Sequence, residues 1–113
     1  MVQVTQEQGV TVVVPGPSYD GLRYRELEEF GEALLSEASQ ASPPRFVIDM
    51  SGTDFIGSSF IELLVRAWKR IKNRNGTMAL CAVHPFCREI LRVARLDSIW
   101  PIYETRSDAV GGV

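Results

Sequence analysis

The segment that most constrains the fold covers residues 46–64, with the sequence FVIDMSGTDFIGSSFIELL. Residues 46–50 are mostly apolar and predict a buried strand, a polar stretch follows, and Ser58 and Ser59 then precede apolar residues at helical spacing. The N-terminus of a helix carries backbone N–H groups without intrahelical partners and a partial positive charge. The segment therefore predicts a strand, a turn and a helix whose first residues present two hydroxyls where a phosphate group would be stabilised.

The rest of the chain predicts strands that alternate with helices. The predicted elements are a hairpin of strands at 2–5 and 10–14, a loop at 15–21, an amphipathic helix at 22–39, the strand at 46–50, a helix starting at Ser58 or Ser59, a strand at 78–83, a helix at 84–95 and a last strand at 99–103. We expect Asn75 and Gly76 to end the second helix in left-handed conformations. We also expect Trp68 to anchor that helix against the sheet. Alternation after residue 43 favours an α/β fold with a mainly parallel sheet.

Composition removes several classes of function. The chain has 113 residues, 12 basic and 14 acidic, and a net charge of −2, so nothing in its overall charge favours nucleic acid or a membrane surface. Uncharged runs such as 79–86 are too short to span a bilayer, and we recognise no signal-peptide layout. Two cysteines are too few for a disulfide framework. We expect one domain over residues 1–113, located in the cytoplasm.

The segment 46–64 resembles the signature segment of STAS domains, the fold of anti-sigma-factor antagonists. In that family a strand that ends in Asp-hydrophobic-Ser is followed by a turn and then by the second helix. The turn has the sequence Phe-(Ile/Met)-Asp-Ser-Ser-Gly. In the family a partner kinase phosphorylates the second serine of that turn, and this serine corresponds to Ser59. The chain departs from the pattern at Gly57, where the family has Asp, and at Phe60, where the family has Gly. The resemblance extends from about residue 10 to residue 103.

The resemblance implies a fold and a function. It implies a small, mainly parallel sheet of four to five strands, with an N-terminal β-hairpin, helices mostly on one face, and a fourth helix that is short or absent. It further implies a non-enzymatic, protein-binding module of a bacterial partner-switching system that regulates transcription. The partners would be an anti-sigma factor that is a serine kinase of the histidine-kinase-like ATPase family, and a serine phosphatase. The chain itself would need no cofactor, since ATP would belong to the kinase. The expected partner-binding residues are Thr53, Asp54, Gly57, Ser58, Ser59 and Phe60.

Each of these residues also has a purely structural interpretation. Ser59 and Glu62 have the spacing of a capping box, in which each side chain accepts a hydrogen bond from the first turn of the helix. Ser58 is the second candidate phosphorylation site and could also cap the helix. Phe60 could pack in the core or serve as an exposed aromatic anchor for a partner, and we expect it to be at least partly exposed. A non-phosphorylated STAS subunit of a transporter or signalling complex is the alternative function.

Other clusters of reactive residues favour structural roles. Cys81, His84 and Cys87 have the spacing Cys-x2-His-x2-Cys, but the chain has no further Cys or His to complete a zinc site. The same lack of a third residue argues against an enzyme that uses His84 or Cys87. Asp49 is expected to bond the backbone of the turn after it, and Asp54 to be solvated.

The basic residues of the last two long helices are expected to form mostly solvated faces. These residues are Arg66, Lys69, Arg70, Lys72 and Arg74 on the second helix, and Arg88, Arg92 and Arg95 on the third. The charge balance of the chain is acidic overall, so the pattern does not indicate nucleic-acid binding.

Overall fold

The computed structural model of the protein describes residues 2–19 and 24–113. Its strands are β1 (Gln3–Glu7), β2 (Val10–Val14), β3 (Ser18–Tyr19), β4 (Arg45–Asp49), β5 (Phe55–Ile56), β6 (Thr77–Cys81) and β7 (Ile102–Tyr103), and its helices are α1 (Tyr24–Gln40), α2 (Ser58–Asn73), α3 (Pro85–Val93) and α4 (Arg106–Gly112). One turn of 3₁₀-helix, Leu96–Ser98, follows α3. The predicted order is confirmed, with the short strands β3 and β5 and the helix α4 added to it.

Five strands form one sheet in the order β1-β2-β4-β6-β7. β1 and β2 make the predicted antiparallel hairpin, and β2, β4, β6 and β7 run parallel to their neighbours. Parallel neighbours require crossover connections, which α1, α2 and α3 supply in turn. The carboxyl ends of β4 and β6 therefore lie side by side, and the chain leaves that edge of the sheet toward the starts of α2 and α3.

A second, two-stranded pair lies at the same edge. Part of the predicted loop at 15–21 is instead β3, in which Ser18 and Tyr19 pair in parallel with Phe55 and Ile56 of β5. The Gly16 N–H donates a 2.6 Å hydrogen bond to the buried Tyr19 hydroxyl. This pair joins the segment before α1 to the segment before α2. Residues 20–23, including the predicted helix start at Leu22, lie outside the described residues.

The main core lies between the sheet and the first three helices. Its largest fully buried side chains include Phe30 of α1, Phe46 of β4, Phe60 of α2 and Trp100. Trp68 packs against the margin of this core, and its ring lies edge-on to Trp100 with 6.4 Å between the ring centroids. Trp68 therefore contacts the core, as expected, but its side chain is only partly buried. The expectation that most helices cover one face of the sheet is confirmed.

The opposite face of the sheet is covered by α4. A small apolar cluster there joins Val10, Val12, Val47 and Cys81 of the sheet to Ala109 and Val110 of α4. The fourth helix was expected to be short or absent, and it is short. Sequence patterns give little signal for α4, because a helix of this length cannot show a full apolar period and depends on its tertiary contacts.

Several element ends differ from prediction. For example, β6 ends at Cys81 and not at residue 83, and α3 ends at Val93 and not at residue 95. Asn75 takes the expected left-handed conformation, with φ of 60°, but Gly76 does not. Gly76 is instead required by close packing, since a Cβ atom there would lie 2.1 Å from the Pro44 carbonyl oxygen. The last strand is limited to Ile102–Tyr103, because the chain from Leu96 to Trp100 forms the 3₁₀ turn and a bend that buries Trp100.

Candidate functional site

The turn between β4 and α2 is fixed by hydrogen bonds at both ends. The Ser51 N–H donates to Asp49 Oδ1 at 3.0 Å, which confirms the predicted role of Asp49. Thr53 is buried, and its hydroxyl donates to the Gly16 carbonyl at 2.7 Å. The N–H of Asp54, whose side chain is exposed as expected, donates to the Pro17 carbonyl at 2.9 Å. The turn therefore holds the start of α2 in one position, and the Thr53 side chain stabilises that turn and faces away from solvent.

The start of α2 differs from the predicted capping box. Gly57 is the N-cap residue, in an extended conformation with φ of −109° and ψ of −177°, and it makes no side-chain capping hydrogen bond. Ser58 and Ser59 are the first two residues of the helix proper, and both are exposed. The capping box of Ser59 and Glu62 is wrong, because a capping side chain must come from the residue just before the helix. Both hydroxyls remain on the surface at the positive end of α2.

Phe60 is fully buried, so the expected partial exposure is wrong. Its ring stacks on Phe30 of α1 at 4.6 Å between centroids and lies 4.7 Å from the Tyr19 ring. Phe60 belongs to the same helical stripe as Leu64, Ala67 and Ile71, and its place in the first turn carries that stripe up to the edge of the sheet. Its side chain is not available to a partner in this structure.

Ser59 lies at the margin of a groove between α1 and α2. The groove has a volume of about 420 Å³, and its lining includes Leu27 and Leu63 together with the carboxylates of Glu28, Glu32 and Glu62. Arg66 is the basic residue of the lining. α1 and α2 meet closely beneath the groove, where a Cβ atom on Gly31 would lie 3.1 Å from Leu63. The surface on the α1 side of Ser59 is therefore acidic, a feature that sequence reasoning missed because it depends on how the two helices are paired.

A partly exposed aromatic pair joins β5, the strand that comes just before the serines in sequence, to α3. Phe55 of β5 stacks on Phe86 of α3, with 5.5 Å between ring centroids, and half of the Phe86 side chain is exposed. His84 caps α3, since its Nδ1 accepts a 3.3 Å hydrogen bond from the Phe86 N–H, and Pro85 follows in the first turn. The pairing joins residues that are far apart in sequence, and no sequence pattern indicated it.

An ion-pair cluster beneath the turn was also missed. Arg106 of α4 donates from Nε to Asp49 Oδ2 at 2.7 Å and from a terminal nitrogen to Glu7 Oε2 at 2.8 Å. Burial raises the pKa of Asp49, but the Ser51 N–H and the Arg106 guanidinium outweigh it, so the pKa is lowered. Asp49 is therefore ionised at neutral pH and links the turn before α2 to the C-terminal helix.

The structure places Cys81 in the apolar cluster beneath α4, Cys87 in the main core and His84 at the surface. Cys81 and Cys87 are buried free cysteines, whereas His84 is exposed. Burial raises the pKa of Cys81 to about 12, and burial also raises the pKa of Cys87. Both thiols are therefore protonated at neutral pH, which is unfavourable for a nucleophile or a metal ligand. Within residues 2–19 and 24–113, no group of three or more His, Cys, Asp or Glu side chains is arranged to hold a metal ion.

Two of the predicted basic residues, Arg70 and Arg74, have structural partners in α1, which is compatible with the prediction that most of the set is solvated. Arg70 donates to the Leu35 carbonyl at 3.2 Å, and Arg74 donates to the Ala38 carbonyl at 3.0 Å. These carbonyls belong to the last turns of α1, where cations are favoured and free carbonyls need donors. The remaining predicted positions are exposed as expected; they are Arg66, Lys69, Lys72, Arg88, Arg92 and Arg95.

Comparisons with known proteins agree with this architecture. A sequence model of the STAS domain family matches residues 2–109. A solved anti-sigma-factor antagonist (STAS) domain protein from Planctomyces limnophilus has 42% sequence identity and a TM-score of 0.85, covering 98% of this chain and 96% of that one. An anti-sigma factor antagonist from Mycobacterium paratuberculosis has 28% identity and a TM-score of 0.81, covering 100% and 92%. The anti-sigma-F factor antagonist RsfB of Mycobacterium tuberculosis is 27% identical over 112 residues, 99% of this chain and 88% of that protein.

The chain belongs to the STAS domain family, as the family match and the fold both show. Its relatives are named as anti-sigma factor antagonists, which supports a regulatory STAS module. Among the described residues, no helix has the length and apolar character needed to cross a bilayer.

Proposed function

We propose that this chain is an anti-sigma-factor antagonist, a protein-binding domain over residues 1–113 that is switched by phosphorylation of Ser59. The observation that carries the proposal is the uncapped start of α2, where Ser58 and Ser59 are exposed next to a fixed turn. The partner is an anti-sigma factor that is also a serine kinase of the histidine-kinase-like ATPase family, and a serine phosphatase reverses the modification. ATP stays with the kinase. The setting is the cytoplasm, where Cys81 and Cys87 would remain reduced.

Physical chemistry supports a change in binding without a change in fold. A phosphorylated Ser59 would carry about two negative charges at a helix N-terminus, where the helix dipole and the backbone N–H groups favour them. Ser59 is exposed, so the phosphoryl group enters solvent and displaces no core side chain. The acidic groove beside it then becomes more negative, because Glu28, Glu32 and Glu62 already line it. A partner that docks over this edge would meet like charge and a group that is costly to desolvate.

The experiment is phosphorylation by the serine kinase that binds the chain, followed by mapping of the phosphate. We expect phosphate on Ser59 in the wild type and in Ser58→Ala, and no incorporation in Ser59→Ala. Phosphate found on Ser58 alone would move the switch by one residue. No incorporation in any of the three proteins would contradict the proposal, provided that the kinase phosphorylates a known antagonist in the same preparation.

A second function is favoured by Gly57. The glycine provides no carboxylate beside the two hydroxyls, and it leaves the first turn of α2 without a side-chain cap. A STAS domain that is never phosphorylated, and that serves as a fixed subunit of a transporter or signalling complex, would not need that carboxylate. In that case the Ser59→Ala and Ser59→Asp variants would bind the other subunits of the complex equally well.

A further inference from the structure

The two edge strands of the five-stranded sheet differ in length. β7 forms one edge with two residues, Ile102–Tyr103, whereas β1 forms the other edge with five residues, Gln3–Glu7. Four of the five β1 residues are exposed, and β1 ends the sheet within the part of the chain that the structure describes. A very short edge strand limits pairing with other chains, whereas a longer exposed edge is a template for it. The β1 edge therefore offers a full strand for pairing.

β1 lacks the features that usually protect a sheet edge. Its sequence, QVTQE, contains neither proline nor lysine, and its register with β2 is unbroken from Gln3 to Glu7, so it has no bulge. The charged side chain of the strand, Glu7, already accepts a 2.8 Å ion pair from Arg106. Neither an unpaired charge nor a distorted backbone therefore opposes the approach of another strand.

The hairpin turn determines which backbone groups of β1 point outward. A two-residue turn at 8–9, with φ of 54° and 79°, links Glu7 to Val10. Such a turn makes Glu7 and Val10 a hydrogen-bonded pair, and hydrogen-bonded pairs then occur at every second position along the hairpin. The N–H and C=O groups of Val4 and Gln6 therefore point away from β2 and toward the open edge.

We propose that a second copy of this chain pairs with the β1 edge, antiparallel to β1 and related to it by a two-fold axis at Thr5. In this register Val4 of each copy lies opposite Gln6 of the other, so the outward N–H groups of both strands meet outward C=O groups. The two Thr5 residues form a non-hydrogen-bonded pair, in which side chains approach closely and threonine pairs are favourable. Glu7 lies opposite Gln3, so no like charges meet.

The self-complementary register of β1 favours a second copy over an unrelated strand. The pairing also covers Val4, an apolar side chain that is 38% exposed, with Gln6 of the second copy. A two-fold dimer uses both β1 edges, so no long edge remains to add further chains. The axis reverses the strand direction, so the two α2 starts lie at opposite ends of the joined sheet. Ser59 is not part of the paired edge, and the pairing does not depend on the proposed switch.

The first test is analytical ultracentrifugation of the whole chain. The concentration should extend from about 10 µM to about 1 mM, because an interface made by one pair of strands is small and its dimer is weak. We expect a monomer–dimer equilibrium, with slower hydrogen exchange at the amides of Val4 and Gln6 as the dimer forms. A chain that stays monomeric throughout, or a dimer in which these amides exchange as in the monomer, would overturn the proposal. Preferential pairing of β1 with an added extended peptide of unrelated sequence would also overturn it.

Matched charge variants test the register. Thr5→Lys places two lysines opposite each other at the two-fold axis and should weaken dimerisation about fivefold. Gln3→Lys adds the same charge on the same face of β1, but opposite Glu7, so it should dimerise at least as well as the wild type. Both positions are exposed, so the thermal unfolding of both monomers should match the wild type. Equal weakening by the two substitutions would contradict the proposed pairing.

A charge exchange provides the final control. Thr5→Glu alone should also dimerise weakly, because two glutamates then lie opposite each other. A mixture of Thr5→Glu and Thr5→Lys should form a heterodimer more readily than either variant forms a homodimer. A mixture that associates no better than the separate variants would place the contact elsewhere and overturn the proposal. Phosphate mapping at Ser59 tests the switch separately, since neither result determines the other.

Discussion

The first turns of α2 and α3 leave the same edge of the sheet, yet their chemistry differs. α3 begins with His84, whose ring accepts a hydrogen bond from the helix, and with Pro85, which suits a first helical position. α2 begins with Gly57, which provides no cap, and then presents two exposed serines. Each first turn contains a phenylalanine, but Phe60 is buried and Phe86 is half exposed. The start of α2 is therefore fixed by a buried phenylalanine and exposes two hydroxyl groups. The start of α3 is capped and exposes an apolar side chain.

The two phenylalanines give the largest expected contrast. Phe60→Ala removes a fully buried ring that contacts Phe30 and Tyr19, so we expect a loss of about 3–5 kcal/mol in the free energy of unfolding. Phe86→Ala should cost less than about 1 kcal/mol, because much of the ring is already in water. Urea unfolding of both variants measures the difference. Equal losses in the two variants would contradict the difference in burial between Phe60 and Phe86.

The next largest effect on stability is expected at the ion pair of Asp49 with Arg106. The lowered pKa of Asp49 means that the folded state releases this proton more readily than the unfolded chain, whose carboxyl has a pKa of 3.8. The stabilisation is complete above the unfolded pKa and is lost as pH falls through the lower folded value. Arg106→Gln should cost about 1–3 kcal/mol at pH 7, since it leaves a buried carboxylate without its cationic partner.

Acid titration of unfolding checks this prediction. The unfolding midpoint of Arg106→Gln should lie at a higher pH than that of the wild type. Arg25→Gln, at an exposed arginine on α1, serves as the control and should keep the wild-type midpoint. Coincident acid transitions in Arg106→Gln and the wild type would show that the ion pair does not stabilise the turn. The connection from β6 to α3 contains Ala82, Val83 and His84, so it has no carboxylate to titrate in this way.

Substitution of the N-cap residues is expected to have a smaller effect on the free energy of unfolding. His84→Ala should lose about 0.5–1 kcal/mol with the cap of α3, and His84→Asn should retain most of it, because Asn is a favoured N-cap residue. Gly57→Asp should gain a few tenths of a kcal/mol, since a residue with a side chain can adopt φ of −109° and its carboxylate would cap α2. Thermal unfolding resolves these signs. Destabilisation by Gly57→Asp would contradict the expectation that a side chain at position 57 can cap the first turn of α2.

Most of the fold could be predicted from the sequence because periodic apolar residues determine it. The hairpin, the parallel strands and α2 follow from β-branched runs and from helical spacing, and the position of Ser58 and Ser59 at a helix start follows from the same pattern. Strands β3 and β5 are only two residues long, and α4 is the shortest of the described α-helices, so local signals cannot define them.

The details of the site were harder to predict because they depend on three-dimensional neighbours. Ser59 and Glu62 have capping-box spacing, but the helix begins two residues earlier than that motif requires, and Gly57 takes the cap position. Phe60 is buried because Phe30 and Tyr19 close over it from segments distant in sequence. The bonds from Arg106 to Asp49 and Glu7 span more than half the chain, and no sequence pattern indicates them.

The smallest effect on stability is expected at the serines themselves. Ser59 makes no capping bond and is exposed, so Ser59→Ala and Ser59→Asp should each change the free energy of unfolding by less than about 0.5 kcal/mol. Differential scanning calorimetry of the two variants checks this. A loss of about 1 kcal/mol or more in Ser59→Ala would show that the hydroxyl stabilises the helix after all.

The most direct measurement of the central claim is the affinity of the chain for its kinase partner before and after stoichiometric phosphorylation. Isothermal titration calorimetry would use the unmodified protein, the protein phosphorylated at Ser59, and Gly57→Asp as a control that adds charge two residues away. We predict that phosphorylation weakens binding by at least about tenfold, and that Gly57→Asp has a smaller effect. Equal affinity of the phosphorylated and unmodified proteins would contradict the account and favour a fixed structural subunit.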